Sequence, residues 1–143
     1  NVTPEAEFNI YVDPEAAARV LAAGLSLDLV PLDATRQAIL RREVLERALR
    51  RATGALAERV AAFTRRGFRV DEARGSPGMV LHDPLAVAAA LDPTLIGWEP
   101  VCLEVGTDGA TRRRPGPANC RVAKTVDVSR FLALFLERLC PAS

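Results

Sequence analysis

The apolar positions of this chain fall at helical spacing in some segments and alternate in others. Ala16 to Ala23 reads as a helix that begins at Asp13-Pro14, with Asp13 as N-cap and Pro14 in the first helical position, and stops at Gly24. A β-leaning run, Glu7-Phe8-Asn9-Ile10-Tyr11-Val12, precedes it, and a short strand, Leu27-Asp28-Leu29-Val30-Pro31, follows. This strand–helix–strand rhythm with brief connections favours an α/β architecture with parallel pairing. From Thr35 to Arg66 the pattern is helical: Ile39, Leu40, Val44, Leu45, Ala48, Leu49 and Ala52 recur at three- and four-residue spacing, and arginines and Glu46 fill the other face. Thr53-Gly54 divides this stretch, and the second helix, Ala55 to Arg66, stops at Gly67.

Residues 67–81 read as irregular, with Gly75-Ser76-Pro77-Gly78 as the clearest turn. His82-Asp83-Pro84 opens an apolar helix over Leu85 to Leu91, which Asp92-Pro93 ends. Val101 to Val105 alternates as a strand, Thr107-Asp108-Gly109 is a hairpin turn, and Ala110 to Arg112 begins the return strand. Arg112-Arg113-Arg114-Pro115-Gly116-Pro117 reads as a loop. Arg121 to Val126 is a further strand, and Asp127 or Ser129 caps a final helix whose face is Phe131, Leu132, Phe135, Leu136 and Leu139. No internal repeat and no domain boundary is evident.

Composition narrows the classes. With 19 basic and 18 acidic side chains the formal net charge is +1, which argues against a nucleic-acid binder, and no apolar run is long enough to cross a bilayer. Cys102, Cys120 and Cys140 are widely spaced, so neither a disulfide framework nor a CxxC metal site is expected; they read as buried residues of a cytoplasmic protein. The chain opens on Asn1-Val2-Thr3-Pro4 with neither a Met nor a secretory signal, and 143 residues suit one compact domain or part of a larger one.

Two groups of residues carry candidate chemistry. His82, the only histidine, stands at a helix start; it reads as a packing residue or as a proton donor near neutral pH. Asp83 beside it reads as an N-cap whose ionised carboxylate suits a hard cation. Asn1, Glu7 and Asn9 cluster at the other end of the sequence and offer donors and acceptors suited to ribose hydroxyls, or else form an ordinary solvated turn. Ligands of α/β sheets bind at the carboxyl ends of strands, where helix N-termini gather, so the architecture allows both groups to reach one site, which their spacing alone does not establish.

Three segments, in order, resemble one family. Asn1 to Ala17 closely resembles the central segment of the inosine–uridine preferring nucleoside hydrolases. Val30-Pro31-Leu32-Asp33-Ala34-Thr35 resembles the family's strand followed by LDxT, and His82-Asp83-Pro84-Leu85-Ala86-Val87-Ala88 its later HDPLAVA segment. The resemblance implies a Rossmann-like, mostly parallel α/β sheet with several helices and a small hairpin, and places residues 1–143 as the C-terminal portion of a single nucleoside hydrolase domain. It implies hydrolysis of the N-glycosidic bond of nucleosides assisted by Ca²⁺. In that scheme His82 stands at the departing base, Asp83 ligates Ca²⁺, Asn1, Glu7 and Asn9 hold the ribose, and Phe8 is a pocket wall. The family's DTDxGxDD motif, which supplies the general base and further Ca²⁺ ligands, has no match here, so the chain alone is expected to be inactive. Half of such a sheet would also expose an unpaired edge, so a homo-oligomer is expected, with no nucleic-acid or membrane partner. The competing expectation is a non-catalytic binding or assembly module that retains the fold.

Overall fold

The computed structural model describes residues 1–52 and 54–141. The chain folds as two compact units, Asn1–Leu32 with Trp98–Lys124, and Asp33–Gly97 with Thr125–Ser143.

The first unit begins with two consecutive helices, α1 (Phe8–Val12) and α2 (Pro14–Ala22). The strand expected over residues 7–12 is therefore helical. Local side chains decide it: the Glu7 carboxylate accepts the Asn9 N–H at 2.8 Å, and Asn1 Oδ1 accepts the Phe8 N–H at 2.9 Å, so first-turn donors that a strand would not offer find acceptors. The second helix starts as its sequence indicates, with Pro14 in the first turn and Asp13 accepting the Ala16 N–H at 2.9 Å, and Gly24 follows its end at φ +68°.

Strand β1 (Asp28–Leu29) pairs in parallel with β7 (Cys120–Val126), setting Asp28 opposite Arg121 and Leu29 opposite Val122. The expected parallel pairing is thus made, with β7 rather than residues 7–12 as partner. Strand β7 is also hydrogen-bonded to β4 (Ile96–Val101), giving the order β1-β7-β4. Leu21, Val101, Leu103 and Cys120 form a buried cluster, and Leu27, Leu29, Val105 and Val122 pack against it. The hairpin of β5 (Leu103–Val105) and β6 (Thr111–Arg113) is antiparallel with Glu104 opposite Arg112, and Gly109 in its turn lies at φ +76°. The stretch expected as a loop from Arg112 is still strand at Arg113.

The second unit holds α3 (Leu32–Thr35), β2 (Ile39–Leu40), α4 (Arg42–Leu49), α5 (Ala55–Ala73), β3 (Met79–Val80), α6 (His82–Leu91), a 3₁₀ turn (Pro93–Leu95) and α7 (Val128–Leu139). Phe68, Phe131, Leu40, Leu85 and Leu95 are its fully buried large side chains. Ile39 and Leu40, expected within a helix, form β2 and pair with β3, Ile39 opposite Val80 and Leu40 opposite Met79. The expected break at Thr53 lies outside the described residues. Helix α5 does not stop at Gly67 but runs on to Ala73. Gly67 faces Met79, whose Sδ would lie 2.3 Å from an added Cβ, so this glycine serves close packing of α5 on β3 rather than termination. The last helix is capped by Asp127, which accepts the Arg130 N–H at 3.1 Å, and buries Phe131. Cys102, Cys120 and Cys140 are buried and unpaired, as expected, and burial raises the thiol pKa of Cys120 and Cys140. Among the described residues no helix is long and apolar enough to cross a membrane.

Among the described glycines of the second unit Gly78 has the closest neighbouring backbone, because an added Cβ would stand 2.4 Å from the Leu40 carbonyl oxygen and 2.9 Å from its carbon. Backbone cannot swing aside as a thioether can. Gly78→Ala is therefore expected to cost about 1–3 kcal/mol. Gly67→Ala should cost less, since Met79 can move and alanine recovers about 1 kcal/mol of helix propensity. Denaturant unfolding of the two variants checks the order, and a Gly78→Ala protein as stable as the parent contradicts the packing described.

Candidate functional site

The first unit gathers Asn1, Glu7, Phe8 and Asn9. Glu7 binds Asn9 twice, accepting its backbone N–H through Oε2 and its side-chain Nδ2 through Oε1 at 3.3 Å. Phe8, held at the start of α1 by Asn1, keeps an exposed ring. The four residues form one hydrogen-bonded segment rather than a loose turn.

The β5–β6 hairpin seats this segment. Ala6 forms a β-bridge with Ala110, and both are almost fully buried. Arg112 reaches Asp108 at 2.7 Å and Glu5 at 3.1 Å, tying the turn to the residue just before the bridge. Gly109 lies under α1: a Cβ there would come within 2.8 Å of the Tyr11 Cα. Arg112 and Arg113 are paired strand residues, since Arg113 holds both oxygens of Glu99 at 2.8 Å, where the sequence suggests a solvated loop. These arginines, through charge-assisted hydrogen bonds, bring the Asp108 and Glu99 carboxyls down to about 2, with the Ala110 N–H adding to the effect on Asp108 and Lys124 to that on Glu99.

The second unit places His82 and Asp83 in the first turn of α6. The N-cap position is Leu81, with no side-chain capping bond, so Asp83 is not the cap that the sequence suggests. Tertiary pairing sets the helix start instead: the Leu81 N–H donates to Ala38 O at 2.9 Å, and the Leu81 carbonyl accepts the Leu85 N–H. His82 is half-buried, and its Nδ1 lies 2.7 Å from the hydroxyl of Thr35 at the end of α3. Among the described residues Nε2 has no hydrogen-bond partner. Thr35 is the residue that sequence reasoning missed. Its segment, Leu32-Asp33-Ala34-Thr35, stands out in the sequence, but nothing in its spacing ties it to a residue 47 positions later.

Asp83 is exposed. Among the described residues no group of three or more His, Cys, Asp or Glu is placed to hold a metal ion. A Ca²⁺ site takes six to eight oxygens, and one exposed carboxylate does not supply them. The described residues therefore do not fit a complete Ca²⁺ site.

A mixed α/β fold with a short, partly parallel sheet, a seated polar segment and an anchored histidine defines the class, and comparison with known proteins names it. The model of the inosine-uridine preferring nucleoside hydrolases matches residues 1–133, so the chain belongs to that family. It is 33% identical to the inosine-uridine preferring nucleoside hydrolase of Leishmania major over 97% of this chain and 47% of that protein. It is 36% identical to the pyrimidine-specific ribonucleoside hydrolase RihA of Citrobacter koseri, over 97% of this chain and 48% of the relative. Among solved structures, the purine-preferring ribonucleoside hydrolase from Gardnerella vaginalis superposes with a TM-score of 0.88 at 32% identity, over 98% of this chain and 48% of that one. The chain spans about half the length of the relatives it matches.

The hairpin seat carries a pH dependence. A carboxyl held below its ordinary value stabilises the fold above that value, and the contribution is lost as pH falls through the folded one. The ordinary values here are 3.8 for Asp108 and 4.5 for Glu99, and both fall to about 2, so amide protection in β5–β6 is expected to decline between about pH 4.5 and 2. Arg112→Met releases Asp108, lowering protection at neutral pH and flattening its acid dependence. Hydrogen exchange followed by NMR checks this, and an unchanged acid profile in the variant contradicts it.

Proposed function

We propose that residues 1–143 supply ribose-holding and base-facing side chains to an enzyme that hydrolyses the N-glycosidic bond of ribonucleosides. In the reaction the bond from C1′ to the base nitrogen breaks, water adds its oxygen to C1′, and the base leaves with a proton. Asn1, Glu7 and Asn9 take the ribose role, since amide and carboxylate together match hydroxyls that both donate and accept. Phe8 offers an apolar face to substrate. His82 takes the role at the departing base, where a proton donor lowers the cost of expelling a nitrogen anion.

The observation that carries this reading is His82 itself, the chain's one histidine, anchored at Nδ1 and without a partner at Nε2 among the described residues. The family match and the names of the three relatives given above, each a nucleoside or ribonucleoside hydrolase, support the substrate class. The same proposal treats the chain as the C-terminal portion of a nucleoside hydrolase domain, on the order of its motifs. It includes Ca²⁺ dependence with Asp83 as one ligand. A second reading, a binding or assembly module without catalysis, is equally consistent with the incomplete donor set among the described residues, and activity of a completed domain tells the two apart. Self-association belongs with the proposal and is supported by the exposed Leu56, Phe63 and Val70 at seven-residue spacing along α5. Unpaired buried cysteines support a cytoplasmic setting.

The test joins the chain to the part of the Leishmania major relative that it does not cover. The fusion is expected to release base and ribose from nucleosides in a Ca²⁺-dependent way. His82→Ala should lower kcat by about 10²- to 10⁴-fold. Asp83→Ala should raise the Ca²⁺ concentration needed for half-maximal activity. A fusion that hydrolyses nucleosides with both variants at parental rates overturns the role assignments, and a folded but inactive fusion favours the second reading.

A further inference from the structure

Thr35 lies at the end of α3, 3% exposed, with Ala34 and Ala38 on either side of it fully buried. Its Oγ1 meets His82 Nδ1 at 2.7 Å across 47 residues of chain. The two backbones that carry this pair are themselves joined, because Leu81, just before His82, donates its N–H to Ala38 O, and Ile39 and Leu40 pair with Val80 and Met79. Threonine is stiff at χ1, so a buried Thr35 has little freedom to withdraw its hydroxyl.

From this geometry we propose that Thr35 is a positioning residue for His82. Its hydroxyl fixes the plane of the imidazole, occupies Nδ1 and leaves Nε2 as the nitrogen that meets the leaving base. The proposal rests on the reading of His82 given above. A half-buried imidazole without an anchor flips about its ring torsion and shares its proton between two nitrogens. A hydrogen bond at one nitrogen selects a single orientation and a single tautomer for the other. A hydroxyl suits the task because it donates to a bare Nδ1, which leaves the ring proton on Nε2, the nitrogen that meets the base. A valine would fill the same volume without that contact.

The measurement is the ¹⁵N spectrum of the His82 ring, unambiguous because the chain has one histidine, taken at a pH where the ring is neutral. The parent and Thr35→Ser are expected to show one protonated and one bare nitrogen. Thr35→Val should bring the two shifts together toward a tautomer mixture while the backbone spectrum stays folded. If Thr35→Val does not fold, Thr35→Ala makes the same comparison. Ring shifts unchanged by loss of the hydroxyl, or a serine variant that behaves like valine, overturn the proposal. In the active fusion, Thr35→Val should lower kcat about tenfold or more with KM nearly constant, and Thr35→Ser should restore it. Full kcat in Thr35→Val alongside a His82→Ala loss likewise overturns it. If His82→Ala has no effect, the hydrolase role of His82 fails while the ring spectrum still reports the anchor, so the two failures are told apart.

Discussion

Most elements of this fold are too short to satisfy their own backbone. Strands β1, β2 and β3 have two residues each and α1 has five, so much of their hydrogen-bonding capacity lies outside any ladder. Backbone groups left outside a ladder need other acceptors and donors, and side chains supply many of them. Glu7 and Asn1 close α1, Asp13 closes α2, and Asp71 accepts the Val80 N–H beside β3 at 2.9 Å. Asn119 holds both the N–H and the carbonyl of Leu103 at 2.9 Å, and Asp108 closes the hairpin turn. Asp92 ends α6, accepts the Thr94 N–H to open the 3₁₀ turn, and pairs with Arg130 on α7. No buried side-chain polar atom among the described residues is left without a partner. Carboxylates and amides therefore do in this protein what long strands do in others.

The same economy shapes the residues proposed to meet substrate. Glu7 and Asn1 each spend a side-chain oxygen on an α1 N–H, and Glu7 uses its second oxygen to hold the Asn9 side chain. The segment is held in place by the Ala6–Ala110 bridge and by Arg112 rather than by a deep apolar core. His82 follows the same plan in the second unit, with one nitrogen engaged and the other available. Preorganised groups of this kind act without first having to be ordered.

What was legible in the sequence follows from how local the signals are. Asp13-Pro14 and Asp127 cap helices through contacts three residues away, so the sequence locates α2 and α7 well. The turn at Thr107-Asp108-Gly109 needs a residue at positive φ, and Gly109 marks it. The failures are tertiary. Ile39-Leu40 has helical spacing, yet pairing with Met79-Val80 makes it strand. Gly67 looks like a helix stop but answers to Met79, and Asp83 looks like a cap but the start of α6 is set by the Leu81–Ala38 bond. Residues 7–12 lean toward strand by composition, and the acceptors supplied by Glu7 and, over seven positions, by Asn1 turn them into helix. The candidate residues themselves were legible because they sit in short contiguous motifs. Thr35 was not, because its chemical meaning depends on a partner 47 residues away.

The central claim is that the described residues carry the proposed sugar-side and base-side groups without a complete Ca²⁺ donor set. The most direct measurement is ribose release from inosine and uridine by the purified 143-residue chain, with and without added Ca²⁺. The account predicts no release above the uncatalysed rate in either condition. Release at enzymatic rates would contradict it, since one exposed aspartate and a lone histidine would then suffice for chemistry that the account divides between these residues and further metal ligands.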